Sequence, residues 1–352
     1  MIGTLASAAV MPWTGNLIDR YRLPGYALAV CGLMVCACGF MPFVTGPSAL
    51  VLGIFLLRHS GQGLANHIAT TSMGRYFEHD RGRAIAIASL GLTLGEAVLP
   101  FLAVVAISAV GWRWTYGGVA AVVAVTSFPV ILWLLRGYDR FHQDHLKRLD
   151  VGKEEKTDVL SWKRQQVLRD PRFYLLLPGI MASSMVATAF FFHHLNIAEA
   201  KRWDASWVTG NYVMYAVTCV LAFLTAGALV DRFRADRVVQ FMLIPLVLAS
   251  LTIGIAENYL WVIPYMLLLG LHVGFAHTST NALWAELYGV ADLGSIRSMY
   301  AALSVLSSAF GPVIIGGLVD LGVPIENTCF LFAAYAVLGN ILIIFALRLK
   351  PQ

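Results

Sequence analysis

Charge is scarce in this chain: Asp, Glu, Lys and Arg together make up 13% of its 352 residues, about half the share usual in a soluble domain. Cysteine is scarcer still. The five present, Cys31, Cys36, Cys38, Cys219 and Cys329, lie in apolar runs without ligand spacing, which argues against a disulfide framework or a metal site and leaves Cys in the role of a small hydrophobe. No phosphate-cradling glycine loop, zinc pattern or nucleophile elbow occurs. The chain is therefore not expected to be an enzyme or to carry a cofactor. The first apolar run has no positive n-region and no cleavage site after it, so it does not read as a signal peptide.

What the chain has in abundance is hydrocarbon. Hydrophobic residues account for 58% of it and the mean hydropathy is +0.71. Apolar runs of about 20 residues match the length a helix needs to cross roughly 30 Å of bilayer, where a helix satisfies its own backbone. Eleven such runs can be traced, at about 1–18, 25–44, 48–72, 84–110, 114–136, 173–196, 206–230, 238–256, 260–285, 297–319 and 328–348. Taking the connecting loops alternately, 21 of the 25 Lys and Arg fall on one side, the side that positive charge marks as cytoplasmic. The other side holds Arg113, Lys201 and Arg202, and Arg58 is left inside a span. The net charge of +5 is thus a topology signal with no nucleic-acid footprint. The C-terminus is expected in the cytoplasm and Met1 outside.

The organising feature is a repeat. Gly15-Asn16-Leu17-Ile18-Asp19-Arg20-Tyr21-Arg22 returns 212 positions later as Gly227-Ala228-Leu229-Val230-Asp231-Arg232-Phe233-Arg234. Both copies end an apolar run just before a basic turn, which makes the chain an internal duplication. Gly15 and Gly227 would allow close helix approach. Asp19 and Asp231 would sit on the cytoplasmic rim, where Arg20, Arg232 and their neighbours could pair with them or with helix-end carbonyls. The repeated octapeptide resembles the signature loop of the major facilitator superfamily, which follows the second helix of each six-helix half. That resemblance implies an all-α integral membrane fold of two pseudo-symmetric helical bundles, here eleven spans (5+6) of an expected twelve. It also implies that the loop gates the cytoplasmic side. The expected organisation is an N-terminal bundle at 1–136, a cytoplasmic linker at 137–171 and a C-terminal bundle at 172–352. The linker is polar and of mixed charge, and part of it is expected as an amphipathic surface helix. Only 18 residues precede Asp19, against a complete extra span ahead of its counterpart, so the first helix is expected to be missing, most simply through a misassigned start.

Polar residues inside the spans are the candidate transport residues, because a charge near mid-membrane costs a few kcal/mol and must face a cavity or a partner. Arg58, Gln62 and Asn66 fall on one helical stripe. The Arg-x-x-x-Gln spacing resembles the fourth-helix motif of the superfamily, whose arginine is associated with proton coupling. Glu96, beside Gly91, Gly95 and Pro100, is the carboxylate deepest in any span, a protonatable group or a partner for Arg58. Gly91 and Gly95 are expected to form a close-packing face. In the second half the candidates are His194, Asn211, Tyr215, His272, His277 and Asn281. His272 and His277 lie about 140° apart on one helix, and for each taken singly a packed, hydrogen-bonded role is favoured over that of a proton carrier.

Tyr76-Phe77, Arg81-Gly82-Arg83-Ala84 and Gly111-Trp112-Arg113 look like the monocarboxylate and oxalate/formate branch, which implies a small organic anion. Residues 206–230 nevertheless contain no Lys or Arg, and 297–319 only Arg297 at the rim, where that branch commonly places a basic residue. The expected function is secondary active transport of a small solute by alternating access, coupled to protons, by a monomer in the bacterial inner membrane with the lipid bilayer as its surroundings. The alternatives are an efflux pump for amphipathic compounds and a truncated, non-transporting sensor.

Overall fold

The computed structural model describes residues 2–77, 80–140, 142–143 and 162–349. Among these residues all regular structure is helical, as hydrocarbon requires of a chain that cannot close a barrel. Eight helical stretches are long and apolar enough by themselves to cross a membrane: Leu23–Phe43, Val105–Leu134, Pro171–Ala200, Ala205–Phe233, Ala235–Ile255, Tyr259–Tyr288, Leu293–Asp320 and Ile325–Arg348. The three other apolar runs are also helical. Ile2–Thr14 is short at 13 residues. The third run, Pro47–Leu57 continuing to Asn66–Tyr76, is interrupted by a π-helical segment at Arg58–Ala65. The fourth is the first part of Arg81–Leu134, a 54-residue helix broken at Gly111.

Gly111 shows how a turn is made here. Its φ of 78° and ψ of 161° are open to glycine and costly for any residue with a Cβ. Immediately after it, Arg113 donates from Nε to the Pro42 carbonyl at 3.2 Å and from Nη2 to the Val44 carbonyl at 3.0 Å, while its guanidinium lies 4.4 Å from the Trp112 ring. An interfacial aromatic and a cation thus tie this turn to the end of the preceding helical pair.

The chain forms two compact units. The first comprises Met1–Glu78, Val98–Arg164 and Leu287–Val305, and the second His79–Ala97, Gln165–Glu286 and Leu306–Gln352. Each unit therefore includes one stretch that lies, in sequence, within the other half.

The first unit is built round Met11, Ile18, Leu23, Tyr26, Val30, Leu64, Tyr138 and Ala302. Tyr26 donates its hydroxyl to the Thr14 carbonyl at 2.8 Å, which satisfies a group freed where the first helix ends. On Val105–Leu134 the apolar residues are turned outward: none of its most hydrophobic window is buried, and Val122, Val125, Trp133 and Leu134 are all exposed. So large an apolar surface is stable against lipid and not against water. Of the linker, Tyr138 stacks on His142 with centroids 5.3 Å apart, and the exposed Asp139 pairs with Arg22. Residues 141 and 144–161 of the linker, part of which is expected as an amphipathic helix, lie outside the described residues.

The second unit packs Phe173, Phe190, Trp284, Tyr265 and Phe332 in its interior. Its helices approach closely because their contact residues are small. A Cβ on Gly270 would stand 2.4 Å from the Tyr215 carbonyl oxygen, and one on Gly274 would stand 2.5 Å from the Ala222 Cβ. This small-residue seam joins Val262–Tyr288 to Tyr212–Phe233, and dispersion across it replaces the hydrophobic drive that lipid removes. The expected glycine seam on the fifth family helix is absent at Gly91, which has nothing within 4 Å of a built Cβ. Gly91 is exposed, so its helix turns that face away from the packing.

Candidate functional site

The repeated octapeptide builds the same device twice. Asp19, in the first copy, accepts from the Gly294 amide at 3.1 Å and from the Ser295 amide at 2.5 Å. Asp231, in the second copy, accepts from the Gly82 amide at 2.7 Å and the Arg83 amide at 3.1 Å. These amides open the helices Leu293–Asp320 and Arg81–Leu134, where backbone donors have no partner inside the helix and the dipole favours an anion. The 212-residue offset that relates Asp19 to Asp231 also relates Gly82 to Gly294 and Arg83 to Ser295. In the first unit, the carboxylate comes from the first half of the sequence and the helix start from the second. In the second unit the assignment is reversed.

The glycines explain why this grip is possible. A Cβ on Gly82 would stand 2.5 Å from the Gly227 carbonyl oxygen and 2.8 Å from Asp231 Oδ1. At the equivalent place in the first unit, a Cβ on Gly294 would stand 2.1 Å from Ile18 Cγ2 and 2.6 Å from Asp19 Oδ1. Gly15 and Gly227 make the reciprocal approach, with built Cβ atoms 2.6 Å from Ser298 Cβ and 2.9 Å from Ala86 Cβ. Ser298 and Ala86 are again 212 positions apart.

Arg20, one of the arginines that could have paired with Asp19 or with helix-end carbonyls, is exposed. Asp19 pairs instead with Arg75, at the end of Asn66–Tyr76, and both side chains are more than nine-tenths buried. Burial pushes the Asp19 carboxyl above its ordinary value, while Arg75 and the amides of Ser295 and Gly294 pull it back. Arg232 lies 5.1 Å over the Phe233 ring, and Arg83 approaches Asp231, with Nε 3.7 Å from Oδ2. Helix rotation decides this choice: a residue directly after a helix-ending Asp points away from the seam that the Asp occupies.

Next to the first copy of the repeat is His67. Gly15 contributes a carbonyl 3.1 Å from its Nε2, so Nε2 carries the proton, and Thr71 Oγ1 lies 3.4 Å from Nδ1. The buried Arg297 is close by, with Nη1 3.5 Å from a built Gly74 Cβ.

Arg58 opens the π-helical segment and donates from Nη1 to Gln62 Oε1 at 2.6 Å. Arg58, Gln62 and Asn66 are all exposed, whereas His59 on the adjoining face is buried, within reach of Ser7 Oγ at 3.3 Å and Thr14 Oγ1 at 3.1 Å. The polar stripe is therefore separate from the packed histidine beside it. π-Segments inside helices recur at functional positions. Glu96 lies on Arg81–Leu134, and its side chain is outside the described residues.

In the second unit, the polar candidates are hydrogen-bonded in the interior. His194 lies between two phenols, with Nδ1 2.7 Å from the Tyr212 hydroxyl and Nε2 2.6 Å from the Tyr265 hydroxyl. Tyr215 is buried, its ring 4.8 Å from Phe191 in an edge contact. Asn211 donates from Nδ2 to the Trp207 carbonyl at 2.8 Å, between two helical segments. His272 has both nitrogens engaged: Nδ1 donates to the Met242 carbonyl at 2.8 Å, and Nε2 lies 2.9 Å from Ser183 Oγ. His277 points to other neighbours, with Nδ1 3.0 Å from Ser89 Oγ and the ring 5.6 Å from Phe223. Asn281 donates to the His277 carbonyl at 2.7 Å.

Sequence reasoning missed Arg75 as the cation paired with Asp19, Ser89 as the neighbour of His277, and Gly82 with Gly294 as the helix starts that receive the carboxylates. Carrying the 212-residue offset past the octapeptide would have found the glycine pair.

Comparison with known proteins places this geometry in a family. The chain is 21% identical over 346 residues to the enterobactin exporter EntS of Shigella flexneri, covering 96% of this chain and 79% of the relative. It is 24% identical over 350 residues to the exporter of the same name from Salmonella typhi, covering 94% and 78%. Among solved structures, the human organic anion transporter MFSD10 (TETRAN) superposes with a TM-score of 0.75 at 15% identity, over 97% of this chain and 82% of that one. The proton:xylose symporter XylE, bound to 6-bromo-6-deoxy-D-glucose, superposes with the same score at 12% identity and the same coverage. The family profile of the Major Facilitator Superfamily matches residues 1–312 and again 194–352, so the chain belongs to that superfamily and is a multi-pass membrane transporter of its kind.

Proposed function

We propose that this transporter moves a small organic anion, coupled to protons, and that its two carboxylate latches close the cytoplasmic face during each cycle. The observation that carries the substrate class is Arg58: a cation held by Gln62 on the exposed stripe of an apolar helix. A guanidinium at that depth costs a few kcal/mol unless something compensates it, and a carboxylate or similar anion compensates it directly. Gln62 takes one guanidinium hydrogen and leaves four for a ligand.

Glu96 is the proposed proton carrier, with His194 as the second titratable group held by hydroxyls. The proposed surroundings are the bacterial inner membrane, with the basic loops and the C-terminus in the cytoplasm. The organic-anion reading agrees with the monocarboxylate-like loop residues. Export is the second reading, favoured by the curated relatives, which are named as exporters.

Purified protein in liposomes, tested with a panel of labelled organic anions and neutral solutes under an imposed pH gradient, checks the proposal. Anion flux that depends on the gradient and falls at least tenfold in Arg58→Gln supports it. Gradient-independent flux, or equal flux in Arg58→Gln, contradicts it. The sign of the gradient that drives accumulation separates import from export.

A further inference from the structure

The second unit carries a groove of about 420 Å³. Leu229, Phe233, Val238, Phe241 and Phe275 form its walls, and Arg237 stands with them. Phe233 is 42% exposed and Phe241 62% exposed, so the groove is open on its outer side. Arg237 is exposed and makes no hydrogen bond or ion pair among the described residues. Arg232 and Arg234 are its near neighbours in sequence. Arg234 is also solvent-exposed and has only long contacts, 3.5 Å to Asp236 and 3.9 Å to Glu286.

An apolar trough with an unsatisfied cation at its end selects an amphipathic anion. Free phosphate would gain nothing from five aromatic or branched walls, and a neutral hydrocarbon would leave Arg237 unused. We propose that the groove holds one acyl chain of an anionic phospholipid, with the headgroup phosphate on Arg237. The assignment rests on the orientation proposed above, which turns this basic rim to the leaflet where anionic lipids gather and where each nearby Arg or Lys adds to their attraction.

The site has a consequence for gating. Leu229 and Phe233 stand two positions before and after Asp231 on one helix, and the Asp231 carboxylate holds the amides of Gly82 and Arg83 from the other face. A chain packed on those two residues steadies the loop and with it the latch.

The test uses the full-length protein in detergent with a photoactivatable phosphatidylglycerol that carries a diazirine in its acyl chain, followed by mapping of the labelled peptides. Adducts are expected on the segment from Leu229 to Phe241 and on the segment containing Phe275. Unlabelled phosphatidylglycerol should compete about fivefold better than phosphatidylcholine, the factor expected for one arginine at a charged surface. Arg237→Gln should level the two competitors, and Arg237→Lys should restore the preference, which separates lost charge from lost folding. Leu229→Trp, which fills the trough, should cut labelling severalfold. Adducts spread evenly round the bundle, a preference unchanged in Arg237→Gln, or displacement by inorganic phosphate alone would each overturn the proposal.

Discussion

At the residue scale, the positions that matter most are those where a single atom decides whether two segments meet. Gly82→Val would put new carbon within 3 Å of the Gly227 carbonyl and the Asp231 carboxylate, an overpacking that typically costs about 1–3 kcal/mol. Backbone cannot yield as a flexible side chain does. The expected outcome is normal membrane abundance with a large loss of flux, checked by transport per mole of inserted protein; unaltered flux would mean that the approach at Gly82 is unimportant. His272 gives the contrasting case. Its nitrogens serve Met242 and Ser183, so His272→Ala leaves buried groups unsatisfied and should cost about 1–3 kcal/mol. Thermal unfolding in detergent should show it as a lower Tm, with flux retained by whatever fraction stays folded. The carboxylates of both latches were readable in the sequence because a repeat names them. Arg75 was not, since a partner 56 residues away depends on how two helices rotate against each other.

At the element scale, the helices follow from apolar length, and the breaks in them follow from particular residues. The kink at Gly111 requires a positive φ. Gly111→Ala should therefore lower stability by about 1 kcal/mol, visible as a small fall in Tm with the transport rate little altered. A fall larger than that of His272→Ala would mean that the turn carries packing beyond its backbone demand. The π-segment at Arg58–Ala65 was invisible in the sequence, where 3.6-residue periodicity was assumed. Through it Arg58, Gln62 and Asn66 stay exposed together, as their helical spacing also predicts, while His59, Ser60 and Gly63 pack inward. Hydrophobic periodicity, the strongest signal in soluble helices, is weak here because lipid and protein interior are equally apolar. For the same reason the sequence mistook Gly91 for a packing residue, whereas Gly270 and Gly274 in the second half form a true seam.

At the scale of the whole molecule, the duplication is what ties the parts together. One offset relates the carboxylates, the amides they hold, and the small residues packed beside them. Each carboxylate joins residues from opposite halves of the sequence within one unit, so the proposed gating predicts that loosening either one opens the cytoplasmic face. An Asp that accepts two helix-start amides is worth about 1–2 kcal/mol, which sets the size of the expected effect. The most direct measurement is the rate at which a membrane-impermeant maleimide, added from the basic side, labels Asn66→Cys in a chain whose five native cysteines are replaced by serine. Asp231→Ala and Asp19→Ala should each speed labelling roughly 5- to 30-fold, the range that corresponds to that loss. Labelling rates within twofold of the parent in both variants would contradict the account, because the carboxylates would then hold helix ends without holding a gate.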